Sequence, residues 1–97
     1  MSSSGPQKFV VRLRSKRVQR ELDSLQENDY RRILEKLKTL ADNPLPQGCE
    51  KLFDDVYRVR VGDYRVIYLL DRENKRIDIG GVRRRSEKTY RNISDLF

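Results

Sequence analysis

Arginine alternates with valine and tyrosine across residues 57–68, YRVRVGDYRVIY, so Arg58, Arg60 and Arg65 fall on one side of a β-hairpin. Gly62 and Asp63 make a two-residue loop with glycine first, as a type II′ turn requires. That loop fixes the register: Val61 opposes Tyr64, Arg60 opposes Arg65, Val59 opposes Val66, Arg58 opposes Ile67 and Tyr57 opposes Tyr68. Directly opposed like charges cost a few tenths of a kcal/mol up to about 1 kcal/mol, and no carboxylate is expected on that face near the turn. A polyanionic ligand accounts for the arrangement, because guanidiniums grip phosphate with paired donors and are more weakly hydrated than ammonium groups. The run Arg83, Arg84, Arg85 adds to it: Arg83 and Arg85 point to one side, Arg84 to the other, with Ser86 and Tyr90 just beyond. Five arginines therefore converge on one sheet face. The plainer reading of such charges is a solvated surface, and of Tyr90 a ring that packs a C-terminal segment onto the sheet.

The elements that must position these groups follow from periodicity. Phe9, Val11 and Leu13 alternate within 8–14, which reads as a first strand. Ser15 is placed to cap a short helix carrying Val18, Leu22 and Leu25, and a second helix starts at an Asn28 or Asp29 cap. That second helix carries Tyr30, Ile33, Leu34, Leu37, Leu40 and Ala41 at helical spacing until Asn43 and Pro44 stop it. A Pro- and Gly-containing loop spans 43–50, and beyond it the composition turns to sheet, ending in a strand marked by Ile77 and Ile79. The fold class is α+β: an N-terminal strand and an antiparallel helical hairpin packed on a small, mainly antiparallel sheet. Residues 1–7 read as a disordered polar tail. A second basic stretch, from Lys8 to Arg20, has two readings, added contacts to a nucleic-acid backbone or a solvated helix face, of which the second is slightly favoured.

With 97 residues, 36% hydrophobic and 38% charged, the chain buries one modest core and has no room for a second. The net charge of +7 makes an anion the expected partner: nucleic acid, acidic protein or anionic membrane. Histidine is absent and cysteine occurs once, which excludes His-based acid–base chemistry, His or multi-Cys metal sites and an internal disulfide. Cys49 reads as a small packing residue, and Asp54 and Asp55 as solvated carboxylates rather than metal ligands. Its lone thiol suits a reducing cytosol, and there is no long apolar run or signal-like segment, so the chain is expected to be cytoplasmic and off the membrane.

The segments LADNPLPQGCEKL, YRVRVGDYRVIYLL and IDIGGVRRRSEKTY resemble the RelE/ParE toxin superfamily, and more closely its RelE-like branch. The resemblance spans most of residues 8–97, which it implies form one RelE-like toxin domain. It also implies a type II toxin that cleaves messenger RNA in the ribosomal A site and is neutralised by a RelB-like antitoxin. Arg58 and Arg60 fall where bacterial relatives commonly carry two lysines, Arg65 matches the arginine after the hairpin turn, and Arg83 the arginine after the last core strand. Tyr90 aligns with the C-terminal tyrosine, although the interval SEKTY is one residue longer than the family pattern. Arg85 is placed to contact phosphate or ribosomal RNA, as are Arg58 and Arg60.

RNA brings its own nucleophile, the 2′-hydroxyl, so such a site need only align it, take its proton, steady the phosphorane and assist the leaving 5′-oxygen. No metal and no small-molecule cofactor is needed. Arginine stays protonated, so Arg58, Arg60, Arg65 and Arg83 are assigned charge stabilisation and clamping, which leaves Tyr90 as candidate base. Tyr64 is a further candidate, with an inward parity. Two other readings keep the fold: a ParE-like DNA gyrase inhibitor that acts by binding, and an inactive RNA-binding module.

Overall fold

A computed structural model describes residues 8–84; the tail expected at 1–7, together with Arg85, Ser86 and Tyr90, lies outside the described residues. The order of elements is β1 (Val10–Leu13), α1 (Lys16–Asp23), α2 (Glu27–Asp42), β2 (Glu50–Phe53), β3 (Val56–Val61), β4 (Tyr64–Asp71) and β5 (Arg76–Arg84). The strands form one sheet in the order β1-β5-β4-β3-β2, antiparallel except where β1 runs parallel to β5. Both helices pack on one face. This is the α+β architecture expected.

The stripes that predict the helices are the stripes they bury. Val18 and Leu22 of α1 and Ile33, Leu37 and Leu40 of α2 are buried against Tyr57, Val59, Val66, Tyr68, Leu70, Ile77 and Ile79 of the sheet. Burial of side chains of this size contributes roughly 1.5–3 kcal/mol each, so this face supplies most of the stabilisation. Tyr68 is fully buried and donates its hydroxyl to the Pro44 carbonyl at 2.8 Å, which ties the Pro-rich loop to the centre of the sheet. Its ring stacks on Tyr57 with centroids 6.0 Å apart.

Helix starts depart from expectation. Ser15 is the N-cap of α1, but its side chain makes no capping hydrogen bond, and α2 begins at Glu27 behind Gln26 rather than behind Asn28 or Asp29. Gln26 is extended and already accepts the N–H of Tyr30 at 2.9 Å. Glu27 and Asp29 then sit in the first turn, where the helix dipole favours carboxylates.

The register of β3 on β4 matches the sequence reading at every pair from Tyr57–Tyr68 to Val61–Tyr64. Gly62 has φ +59°, and Asp63 is not among the non-glycine residues with positive φ, which selects the II′ turn over I′. The β2 strand is an addition to the sequence reading. It pairs Glu50 with Arg58 and Lys51 with Tyr57, and Asp54, at φ +45°, turns it into β3. A bulge in β5 at Gly80 lies between the Ile67–Gly81 and Tyr68–Ile79 pairs. On the face away from the helices, Val56 and Ile67 are buried in a second apolar cluster with Leu52 and Leu69. That face is thus apolar at one end and basic at the other.

Candidate active site

Register builds the site. Arg60 pairs with Arg65 across β3 and β4, and Arg65 pairs with Arg83 across β4 and β5, so three arginines stand side by side on one face. Paired residues of antiparallel strands have Cα atoms about 4.5–5.5 Å apart, which makes the row about 10 Å wide. Arg84 leaves on the opposite face, as expected, and its guanidinium lies 5.4 Å from the ring centroid of Tyr64. Tyr64 is buried on the helix side, in agreement with its inward parity.

Carboxylates enter this site from other elements, contrary to the expectation of none. The Arg58 Nε donates to Glu50 Oε1 at 2.6 Å, a contact that exists because β2 aligns Glu50 beside Arg58. Arg83 donates to Glu21 of α1, whose carboxylate also accepts Arg17 Nη1 at 2.8 Å and the Val82 backbone N–H at 3.0 Å. The reason lies in the sheet edge. β1 covers β5 only as far as Ile79, so the next stretch of β5 presents backbone groups that α1 satisfies: Glu21 takes the Val82 N–H, and Arg17 donates to the Gly80 carbonyl at 3.0 Å. Among the described residues Arg60 makes no ion pair, and it is exposed.

A concavity flanks each end of the row. One, of about 270 Å³, is lined by Glu21, Tyr64, Val82, Arg83 and Arg84. The other, of about 290 Å³, is lined by Lys36, Gln47, Gly48, Arg58, Val59 and Arg60. The structure therefore brings Arg60, Arg65 and Arg83 together, with Arg58 two residues along β3 and held by Glu50, while Arg85 and Tyr90 lie outside the described residues. Sequence reasoning did not find Glu21, Glu50 or Lys36 at the site. Of the basic stretch from Lys8 to Arg20, Arg12 lies in β1, within the strand expected over 8–14, and Arg14 follows it, where Arg14 and Arg76 pair with the buried Asp78 at 3.6 and 3.2 Å.

The chemistry this permits is electrostatic. Burial pushes the Tyr68 hydroxyl above the ordinary phenol range, which suits a structural donor and not a base. Among the described residues no group of three His, Cys, Asp or Glu side chains is placed to hold a metal ion. Among the described residues no helix is long and apolar enough to cross a membrane.

Residues 13–89 match a family model described as the ParE toxin of the type II toxin–antitoxin system parDE. A protein of Methanocaldococcus jannaschii that bears the toxin name RelE1 is 36% identical over 90 residues, covering 88% of this chain and 98% of its own. The crystal structure of the archaeal RelE–RelB complex from Pyrococcus horikoshii superposes with a TM-score of 0.72 at 33% identity, covering 82% of this chain and 98% of the other. The toxin–antitoxin complex RelBE2 of Mycobacterium tuberculosis shares the fold, with a TM-score of 0.71 at 24% identity over 80% of this chain and 99% of that one. With the helices, the sheet order and the arginine-bearing hairpin in place, the chain belongs to the RelE/ParE toxin family and is a RelE-like toxin of a type II toxin–antitoxin system.

Proposed function

We propose that this toxin is a ribosome-dependent, metal-independent endoribonuclease that cuts messenger RNA in the ribosomal A site through attack of the 2′-hydroxyl on the adjacent phosphate. The observation that supports the reading is the lateral row Arg60–Arg65–Arg83, three arginines paired across adjacent strands on one face of the sheet. Such a row suits the equatorial oxygens of a phosphorane, where preorganised donors act most strongly. Arg58 and Arg85 add substrate clamping, and Tyr90 is the assigned base. Glu21 and Glu50 hold Arg83 and Arg58 in the free protein, so an incoming phosphate exchanges for these carboxylates as the partner of each guanidinium. The ribosome supplies much of the substrate geometry, and cleavage of free RNA is weak.

The partner that silences the toxin is an acidic, RelB-like antitoxin segment that orders on the basic surface. The net charge of +7 and the relatives solved as RelE–RelB complexes support this, and the toxin acts in the cytoplasm. A second reading, a gyrase inhibitor, is favoured by the ParE description of the matching family. Synthesis in a translation extract separates the two. Cuts in ribosome-bound message that vanish in Arg83→Ala, with the fold retained, are the expected result; intact message together with blocked gyrase supercoiling would replace the nuclease with the gyrase inhibitor.

A further inference from the structure

The concavity at the Arg60 end of the row is not explained by the site chemistry alone. Lys36 reaches it from α2, and nothing on its own helix compensates its charge: the residues three and four positions away are Arg32, Ile33, Thr39 and Leu40. Lys36 makes no ion pair among the described residues, and neither does Arg60 across the cavity. The nearby carboxylate of Glu50 is engaged with Arg58. Arg32, one turn before Lys36, lies against the hairpin loop, its guanidinium about 3.0 Å from where a Cβ on Gly62 would stand. α2 therefore runs a second line of positive charge along the outer side of β3. The floor of the cavity is loop backbone at Gly48, φ +91°, where an added Cβ would meet no atom within 4 Å, and Gln47 offers a carboxamide beside it.

Two cations without counterions among the described residues, one carboxamide and an unfilled volume of about 290 Å³ suit an anion rich in acceptor oxygens. Resting on the nuclease reading, we propose that this cavity is a phosphodiester subsite: Lys36 and Arg60 hold the RNA backbone next to the phosphate gripped by Arg65 and Arg83. Lys36 is then a substrate-contacting residue that acts without regard to base sequence.

The test uses the full chain and a single-stranded oligonucleotide with 2′-O-methyl riboses, which binds but cannot be cut because its nucleophile is blocked. Affinity is measured as a function of salt. Lys36→Ala is expected to weaken binding severalfold at low salt, uniformly across sequences, and to make the log–log salt slope shallower by about 0.7, the contribution of one single-strand phosphate contact. Lys36→Arg should restore both, and Lys38→Ala, two residues along on the side of α2 that faces β1, should change neither. Unchanged affinity and slope in a folded Lys36→Ala protein would overturn the subsite, as would loss of antitoxin binding alone. If Lys36-dependent binding is present but ribosome-bound message stays intact with the wild-type toxin, the subsite stands and the nuclease reading falls. If message is cut and Lys36→Ala binds normally, the reverse holds.

Discussion

Glu21→Ala should destabilise the toxin by about 2 kcal/mol, an unusual cost for an acidic residue on a charged surface helix. The figure follows from what the carboxylate does. It accepts the Val82 N–H at 3.0 Å, and Val82 is only 6% exposed, so removal leaves a nearly buried donor unmet, worth about 1–3 kcal/mol. The contacts with Arg17 and Arg83 add less: these side chains are 38% and 22% exposed, and partly solvated pairs contribute about 0–1 kcal/mol. For a domain of this size 1 kcal/mol moves the melting temperature by about 4–8 °C, so a fall of roughly 8–16 °C is expected in a thermal scan followed by circular dichroism. Glu21→Gln keeps one acceptor oxygen and should lose about half as much. A Glu21→Ala protein that melts within about 3 °C of wild type would refute the assignment of Glu21 as the clamp on the β5 edge.

Three further outcomes follow from other parts of the molecule. Tyr68 should stay protonated in an alkaline absorbance titration until the protein unfolds; because burial raises its folded pKa, stability falls as pH rises past about 10, where only the unfolded chain releases that proton, and Tyr68→Phe should remove this dependence while costing about 1 kcal/mol for the Pro44 bond. Hydrogen bonds from the side chain and backbone of Asn74 hold the Asp71 carboxyl below its ordinary range, so its stabilisation is present above the unfolded pKa near 4 and is lost as pH drops through the lower folded value; urea melts of Asp71→Asn should be flatter than wild type across that acid window. Gly62→Ala should cost about 1 kcal/mol or more in chemical denaturation, because φ is +59° and the new methyl would press on Arg32, whereas Gly48→Ala meets only the backbone cost.

The part of this site legible in the sequence is the part that alternation and one tight turn determine. Gly62 and Asp63 fix a register in which Arg60 must meet Arg65, and the valines and tyrosines between them fix which side faces the helices. Arg84 over Tyr64 follows from the same parity. What escaped depends on contacts between elements distant in the chain. Glu21 meets Arg83 from 62 residues away, and only because α1 takes over an edge that β1 leaves uncovered. Glu50 escaped because β2, a four-residue strand interrupted by a bulge and followed by two aspartates, carries too short an alternation to be seen, and without that strand no carboxylate is placed beside Arg58. Lys36 reads as one more polar position on an amphipathic helix until α2 is laid along β3. The pairing of Arg14 with Asp78 escaped for the same reason, since it joins the end of β1 to β5, 64 residues along the chain.

The parallel pairing of β1 with β5 also has a bearing on how the toxin is made. Among the described strands β1 pairs with β5 alone, so Val11 and Leu13 can meet the helices early but gain a sheet neighbour only when β5 is made. Arg83 belongs to that same late strand. A nascent chain thus completes its sheet and sets Arg83 beside Arg65 in one step, when β5 joins β1 and β4.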